Sequence, residues 1–168
     1  MDEPLGPGPT GVVQGTGDGS LVIYSARTLA DVDLCTEEWR YNNDFGKNAF
    51  LYEAAHTDYT IYAPEGKILK RVRNARDPND DAPTVVTLPP GSYKVEAEGV
   101  NCDAERVNVL LAVVIKPGQT TLAHLDSGWS PMGDYREAEV AKLPCGKVIG
   151  WRAPETGYAG IQAGSHAN

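Results

Sequence analysis

The sequence predicts an all-β fold, an antiparallel β-sandwich of about seven strands. Two observations carry this. Stretches of the 168-residue chain alternate apolar and polar residues with period two, most cleanly at Tyr93, Val95 and Ala97 against Ser92, Lys94, Glu96 and Glu98. Turn residues separate these stretches, and 18 Gly with 12 Pro are too many for a helical protein of this size.

Residues 1–18 read as a flexible leader, because Pro4, Pro7, Pro9 and a dense set of glycines prevent a helix and give little to bury. The sandwich domain is assigned to 19–126. Its first strand, Leu21 to Ala26, has apolar residues on both faces and is expected to be covered on both. A weaker strand follows over Leu29 to Leu34. Thr36 to Thr57 reads as an irregular insertion holding at most one short helix, with Thr36 as its cap. Asp58 to Arg73 is a hairpin turning at Pro64-Glu65-Gly66, with Ile68 and Val72 expected on one face.

Thr84 to Leu88 is expected to open a central hairpin that turns at Leu88-Pro-Pro-Gly91, where Pro fixes φ and Gly takes a conformation other residues resist. Glu105 to Ile115 is the most apolar strand, and its length suggests a bend or bulge midway. Lys116-Pro-Gly-Gln119 turns the chain so that Thr120 to Leu125 pairs back. Residues 127–168 form a C-terminal extension: a small docked hairpin around Pro144-Cys145-Gly146, anchored by Ile149 and Trp151, and a frayed end. Tyr93, Val95, Val109, Leu111 and Val113 are the expected core.

A net charge of -8 argues against a nucleic-acid partner and against adhesion to an anionic membrane. No run approaches the roughly 20 apolar residues of a membrane span. Met1-Asp-Glu-Pro lacks the basic and apolar parts of a signal peptide, and its acidic, Pro/Gly-rich continuation reads as an artificial start on a trimmed, exported protein. Cys35, Cys102 and Cys145 have no metal or redox spacing. Three buried thiols, or one bridge with one free thiol, both satisfy the count; Cys102 and Cys145 are expected to be the exposed thiols.

The order Gly19-Ser-Leu-Val-Ile-Tyr-Ser25, Tyr59-Thr-Ile-Tyr-Ala-Pro-Glu-Gly66, Leu88-Pro-Pro-Gly-Ser-Tyr-Lys-Val95 and Val113-Val-Ile-Lys-Pro-Gly-Gln-Thr-Thr-Leu122 resembles the carboxypeptidase regulatory-like, PEGA and Cna-B group of small domains. The resemblance covers Gly19 to Asp126 and implies a transthyretin-like, Greek-key sandwich, used on exported bacterial proteins as a spacer, adhesion or accessory module. It transfers no active-site residue. Isopeptide-forming relatives use a buried lysine, and no lysine here stands in a clearly apolar strand position.

Candidate chemistry is sparse. Asp77-Pro-Asn-Asp-Asp81 concentrates oxygen ligands without calcium-loop spacing and reads as a solvated acidic loop. His56, His124 and His166 are scattered and read as surface or edge residues. No G-x-S-x-G is present, and no histidine can be assigned to Cys145. The sequence therefore predicts no catalytic residue, cofactor or metal site. Aromatics are the remaining lead: Trp39, Tyr41, Phe45 and Tyr52 in the insertion, and Trp129, Tyr135, Trp151 and Tyr158 in the extension. They either pin these segments onto the sandwich or contact a ligand, and Trp39, Tyr41 and Trp129 are the preferred contact residues. The expected function is a non-catalytic module with a structural or protein-interaction role; carbohydrate binding is the alternative, and an enzyme of unrecognised type the third.

Overall fold

The computed structural model describes residues 4–8, 17–29, 53–74, 82–126 and 129–154. The strands are β1 (Gly19–Tyr24), β2 (Arg27–Leu29), β3 (Glu53–His56), β4 (Tyr59–Tyr62), β5 (Ile68–Val72), β6 (Val85–Leu88), β7 (Gly91–Val100), β8 (Arg106–Ile115), β9 (Thr120–His124), β10 (Val140–Lys142) and β11 (Val148–Trp151). A four-stranded sheet in the order β5-β4-β7-β8 faces a three-stranded sheet in the order β6-β1-β9, and β2-β3 and β10-β11 are separate hairpins. The facing sides interdigitate: Leu21, Ile23, Val86 and Leu88 of one sheet share a core with Ile61, Val95, Leu111 and Val113 of the other. The all-β sandwich is thus as expected, and of the expected core only Tyr93 is partly exposed. Its hydroxyl donates to the Pro89 carbonyl at 2.6 Å, which ties the strand to the turn before it.

Pairing departs from expectation at two turns. β6 does not form a hairpin with β7; it pairs antiparallel with β1, and Pro89-Pro90 carries the chain to the other sheet. β9 likewise does not pair back on β8 but runs parallel to β1, so the three-stranded sheet is mixed rather than antiparallel. Both turns are corners of the sandwich. Proline suits a corner because it offers no N–H to extend the ladder it leaves. The backbones approach closely there: a Cβ on Gly19 would lie 2.2 Å from the Lys116 carbonyl oxygen, so this position tolerates only glycine.

Two strand details also differ. β7 and β8 pair without interruption from Gly91↔Ile115 to Val100↔Arg106, so the long strand carries no bulge. A bulge lies instead between β4 and β5, where Ile61 faces Lys70 and Tyr62 faces Ile68. The extra residue, Leu69, reverses the side to which Ile68 points. Ile68 is consequently 62% exposed, while Val72 is buried as expected. β1 has its expected double cover: Leu21 and Ile23 are buried inside and Val22 outside.

Residues 4–8, assigned to the leader by sequence, are built into the fold. Leu5 is 0% exposed and belongs to the main core. Its N–H donates to the Ala112 carbonyl at 2.8 Å and its carbonyl accepts from Val114 at 2.7 Å. On the other side Gly6 donates to Trp151 at 3.0 Å and Ala153 donates to Pro4 at 2.8 Å. The segment joins β8 to β11. Flanking prolines are compatible with this because only Leu5 and Gly6 must donate.

The β10-β11 hairpin turns at Pro144-Cys145-Gly146, with Gly146 donating to Leu143 at 2.8 Å, and its Ile149 is fully buried. Ala141, Leu143 and Ile149 join the sandwich core. Cys102 and Cys145 are exposed as expected but are not free thiols: they form a disulfide with Cα atoms 6.1 Å apart, joining the β7-β8 turn to the β10-β11 turn.

Leu5→Ala is expected to destabilise the fold by about 2–5 kcal/mol, the range for emptying a buried leucine site. Ile68→Ala should stay within about 0.5 kcal/mol. Urea denaturation of both variants checks this, and equal midpoints would show that residues 4–8 contribute nothing to the core.

Candidate functional site

Five rings, those of Tyr24, His56, His124, Trp129 and Trp151, assemble at the outer face of the three-stranded sheet. Tyr24 and His124 end the parallel strands β1 and β9 and are register partners, so their rings lie side by side. They stack with centroids 4.7 Å apart and planes 11° from parallel. Trp129 stacks on the opposite face of His124, at 4.7 Å and 5°. Trp151 of β11 meets Trp129 edge-on at 6.0 Å, and His56 of β3 meets Tyr24 edge-on at 5.7 Å. Each contact is in a favoured geometry for ring quadrupoles. A Cβ on Gly8 would fall 2.6 Å from the Trp151 indole, so the N-terminal segment lies directly against that ring.

Burial in the stack pushes the His124 imidazole below its ordinary range, and the Asp126 carboxylate partly opposes this. Asp126 in turn lies 3.6 Å from the Arg27 guanidinium. His124 therefore occupies a strand position, as expected, but is half-buried between two rings rather than open at a surface. His56 departs further from expectation and is only 1% exposed. Its Nδ1 lies 2.6 Å from the Ser25 carbonyl oxygen, which can only accept, so Nδ1 carries a proton. Its Nε2 and the Tyr59 hydroxyl are buried without a hydrogen-bond partner among the described residues.

A buried polar cluster lies beside His56. Asn74 donates through Nδ2 to the Ile23 carbonyl and to Ser25 Oγ, both at 2.9 Å. Its Oδ1 accepts from Thr84 N–H at 2.9 Å, and its own N–H donates to Asp58 Oδ1 at 2.9 Å. Ser25 Oγ donates to the Thr57 carbonyl at 2.6 Å. One asparagine thereby ties together the ends of β1, β5 and β6, and the polar groups named here are satisfied within the protein. Sequence reasoning passed over Asn74 because an asparagine after a strand is ordinarily a turn residue.

A shallow groove of about 360 Å³ lies by the disulfide, lined by Asn101, Val107, Leu110, Leu143 and Pro144. Among the described residues no three His, Cys, Asp or Glu side chains come together to hold a metal ion. Of the preferred contact residues, Trp129 is partly exposed and already has one face covered by His124. Trp39, Tyr41, Phe45, Tyr52, the 77–81 loop and His166 lie outside the described residues. Comparison of the chain with models of known protein families, with curated proteins and with solved structures finds no match.

The stack sets a pH dependence. With the folded-state pKa of His124 held below the unfolded value of about 6.5, the unfolded chain takes up the proton first. Stability contributed here is full above that value and falls as pH drops through it toward the folded pKa. Denaturation midpoints between about pH 7 and about pH 5 should fall more steeply for the native chain than for His124→Gln. Parallel profiles would remove His124 as the source.

Proposed function

We propose that this chain is a non-catalytic β-sandwich module of an exported protein, of the carboxypeptidase regulatory-like, PEGA and Cna-B kind with Greek-key connections, serving a structural or protein-interaction role. The observation that carries the reading is the Cys102–Cys145 disulfide, because such bridges persist in oxidising compartments. It joins residues 43 apart in sequence, and both ends belong to exposed turns open to solvent oxidants. The rest of the described chain supports a scaffold. Its buried Asn74 and Ser25 hold backbone carbonyls, and its half-buried rings are engaged with one another. The Leu88-Pro-Pro-Gly91 and Lys116-Pro-Gly-Gln119 turns that carry the family resemblance are the two corners of the sandwich. Glycan recognition through Trp39, Tyr41 and Trp129 is the lesser reading, since the Trp129 face that would stack on a sugar is partly taken by His124.

Thiol titration of the denatured protein is the test. Non-reduced material should give one thiol per chain, from Cys35, and reduced material three. Reduction should also cost about 4 kcal/mol of stability, the chain-entropy estimate for a loop of this length. Three thiols in unreduced protein would overturn the exported reading.

A further inference from the structure

The two edges of the four-stranded sheet are treated differently. The β8 edge is sealed by the backbone of residues 4–8. β5, at the other edge, has no strand on its outer side among the described residues. This bare strand is also the most basic stretch of an acidic chain. Lys67, Lys70, Arg71 and Arg73 place four of its fifteen cations within seven residues, against a net charge of -8. All four are exposed, and none is in an ion pair among the described residues. Apolar surface accompanies them: Ile68 is 62% and Leu69 47% exposed, and Val85 is 60% exposed on β6, the neighbouring edge of the other sheet. The two edges are held together where Thr84 Oγ1 donates to the Arg73 carbonyl at 2.8 Å.

We infer that the β5 edge is an interaction surface that takes an acidic, extended polypeptide segment of a partner as an added strand. The inference deepens the protein-interaction reading above and rests on it. Strand addition derives affinity from main-chain hydrogen bonds and selectivity from side chains along the edge. Lysines on an edge strand also oppose self-association. A second copy paired β5 to β5 would set Lys70 and Arg71 against like charges, whereas a strand bearing Asp or Glu meets them favourably. The same residues thus exclude the chain's own edge and select an acidic one. The bulge at Leu69 confines irregularity to the start of the strand and leaves 70–72 in regular register with β4. Ile68, turned outward by that bulge, supplies apolar contact beside the charges. Glu96, the nearest carboxylate on the outer face of β7, is occupied by the Tyr62 hydroxyl at 2.8 Å.

The probe is a fluorescein-labelled peptide of roughly ten residues alternating Glu with Val or Thr, titrated with the oxidised full chain and read by anisotropy. Controls are the same peptide with Pro at alternate Val or Thr positions and its counterpart with Lys for Glu. The acidic strand-forming peptide should bind and weaken with added salt, and neither control should bind. Lys70→Glu/Arg71→Glu should weaken binding roughly tenfold or more, while Lys94→Glu on the face of β7 should change it little. Both altered β5 residues are exposed, and an unchanged urea midpoint verifies folding. No binding by the acidic peptide, equal binding by the Pro peptide, or indifference to the β5 variant overturns the inference. So does a sedimentation profile showing a dimer that the β5 variant abolishes. None of these results alters the thiol count, so failure here is separable from failure of the exported reading.

Discussion

The structure depends on the close meeting of two sheets at one end of the sandwich. There β1 begins, β6 and β8 end, and β7 and β9 begin. Gly19 lets the first strand lie against the Lys116 carbonyl, and Ser20 donates to the Gln119 carbonyl at 2.9 Å. β1 thereby becomes the central strand of its sheet, paired antiparallel on one side and parallel on the other. Parallel pairing requires a crossover from elsewhere, and the corner at Lys116–Gln119 supplies it. The register it imposes then places Tyr24 beside His124, and with them the foundation of the ring stack.

The opposite end is held by different means. Asn74 takes the place of a ladder where β1, β5 and β6 meet their ends, donating to a carbonyl and a hydroxyl and accepting from an N–H. The disulfide and the ring stack then fasten residues 129–154 to the sandwich at separate places, one at the β7-β8 turn and one on the outer face of β9. Lys147 adds a hydrogen bond to the Val100 carbonyl at 2.6 Å. The extension is consequently continuous with the core, through Ala141, Leu143 and Ile149, rather than appended to it.

What was legible in the sequence follows from what alternation encodes. Period two tells which residues of a strand share a face, and so Val95, Val109, Leu111 and Val113 were identified as core. It does not tell which strand lies alongside, and both Pro/Gly turns, read as hairpins, are corners between sheets. A single inserted residue defeats the same logic, as Leu69 does for Ile68. Leu5 was missed because one leucine among prolines has no period at all; its burial comes from the strands that meet it. The ring stack was legible only as a set of aromatics, since Tyr24, His124, Trp129 and Trp151 are brought together by register and docking.

The place of Leu5 has a consequence for how the chain comes to be folded. The backbone partners of residues 4–6 are Ala112, Val114, Trp151 and Ala153, all in the later part of the sequence. This segment is made before every strand it joins, and its bonds to Ala112 and Val114 can form only once β8 is made. Until those two bonds form, the β8 edge is an unpaired row of N–H and C=O groups on the most apolar strand of the sheet. Contacts of such sequence separation form slowly, because a long loop must close before they stabilise anything. The nascent domain therefore passes through a stage in which its sandwich can form while one edge stays open to pairing with other chains. The segment that seals the sheet is thus made well before the edge it seals.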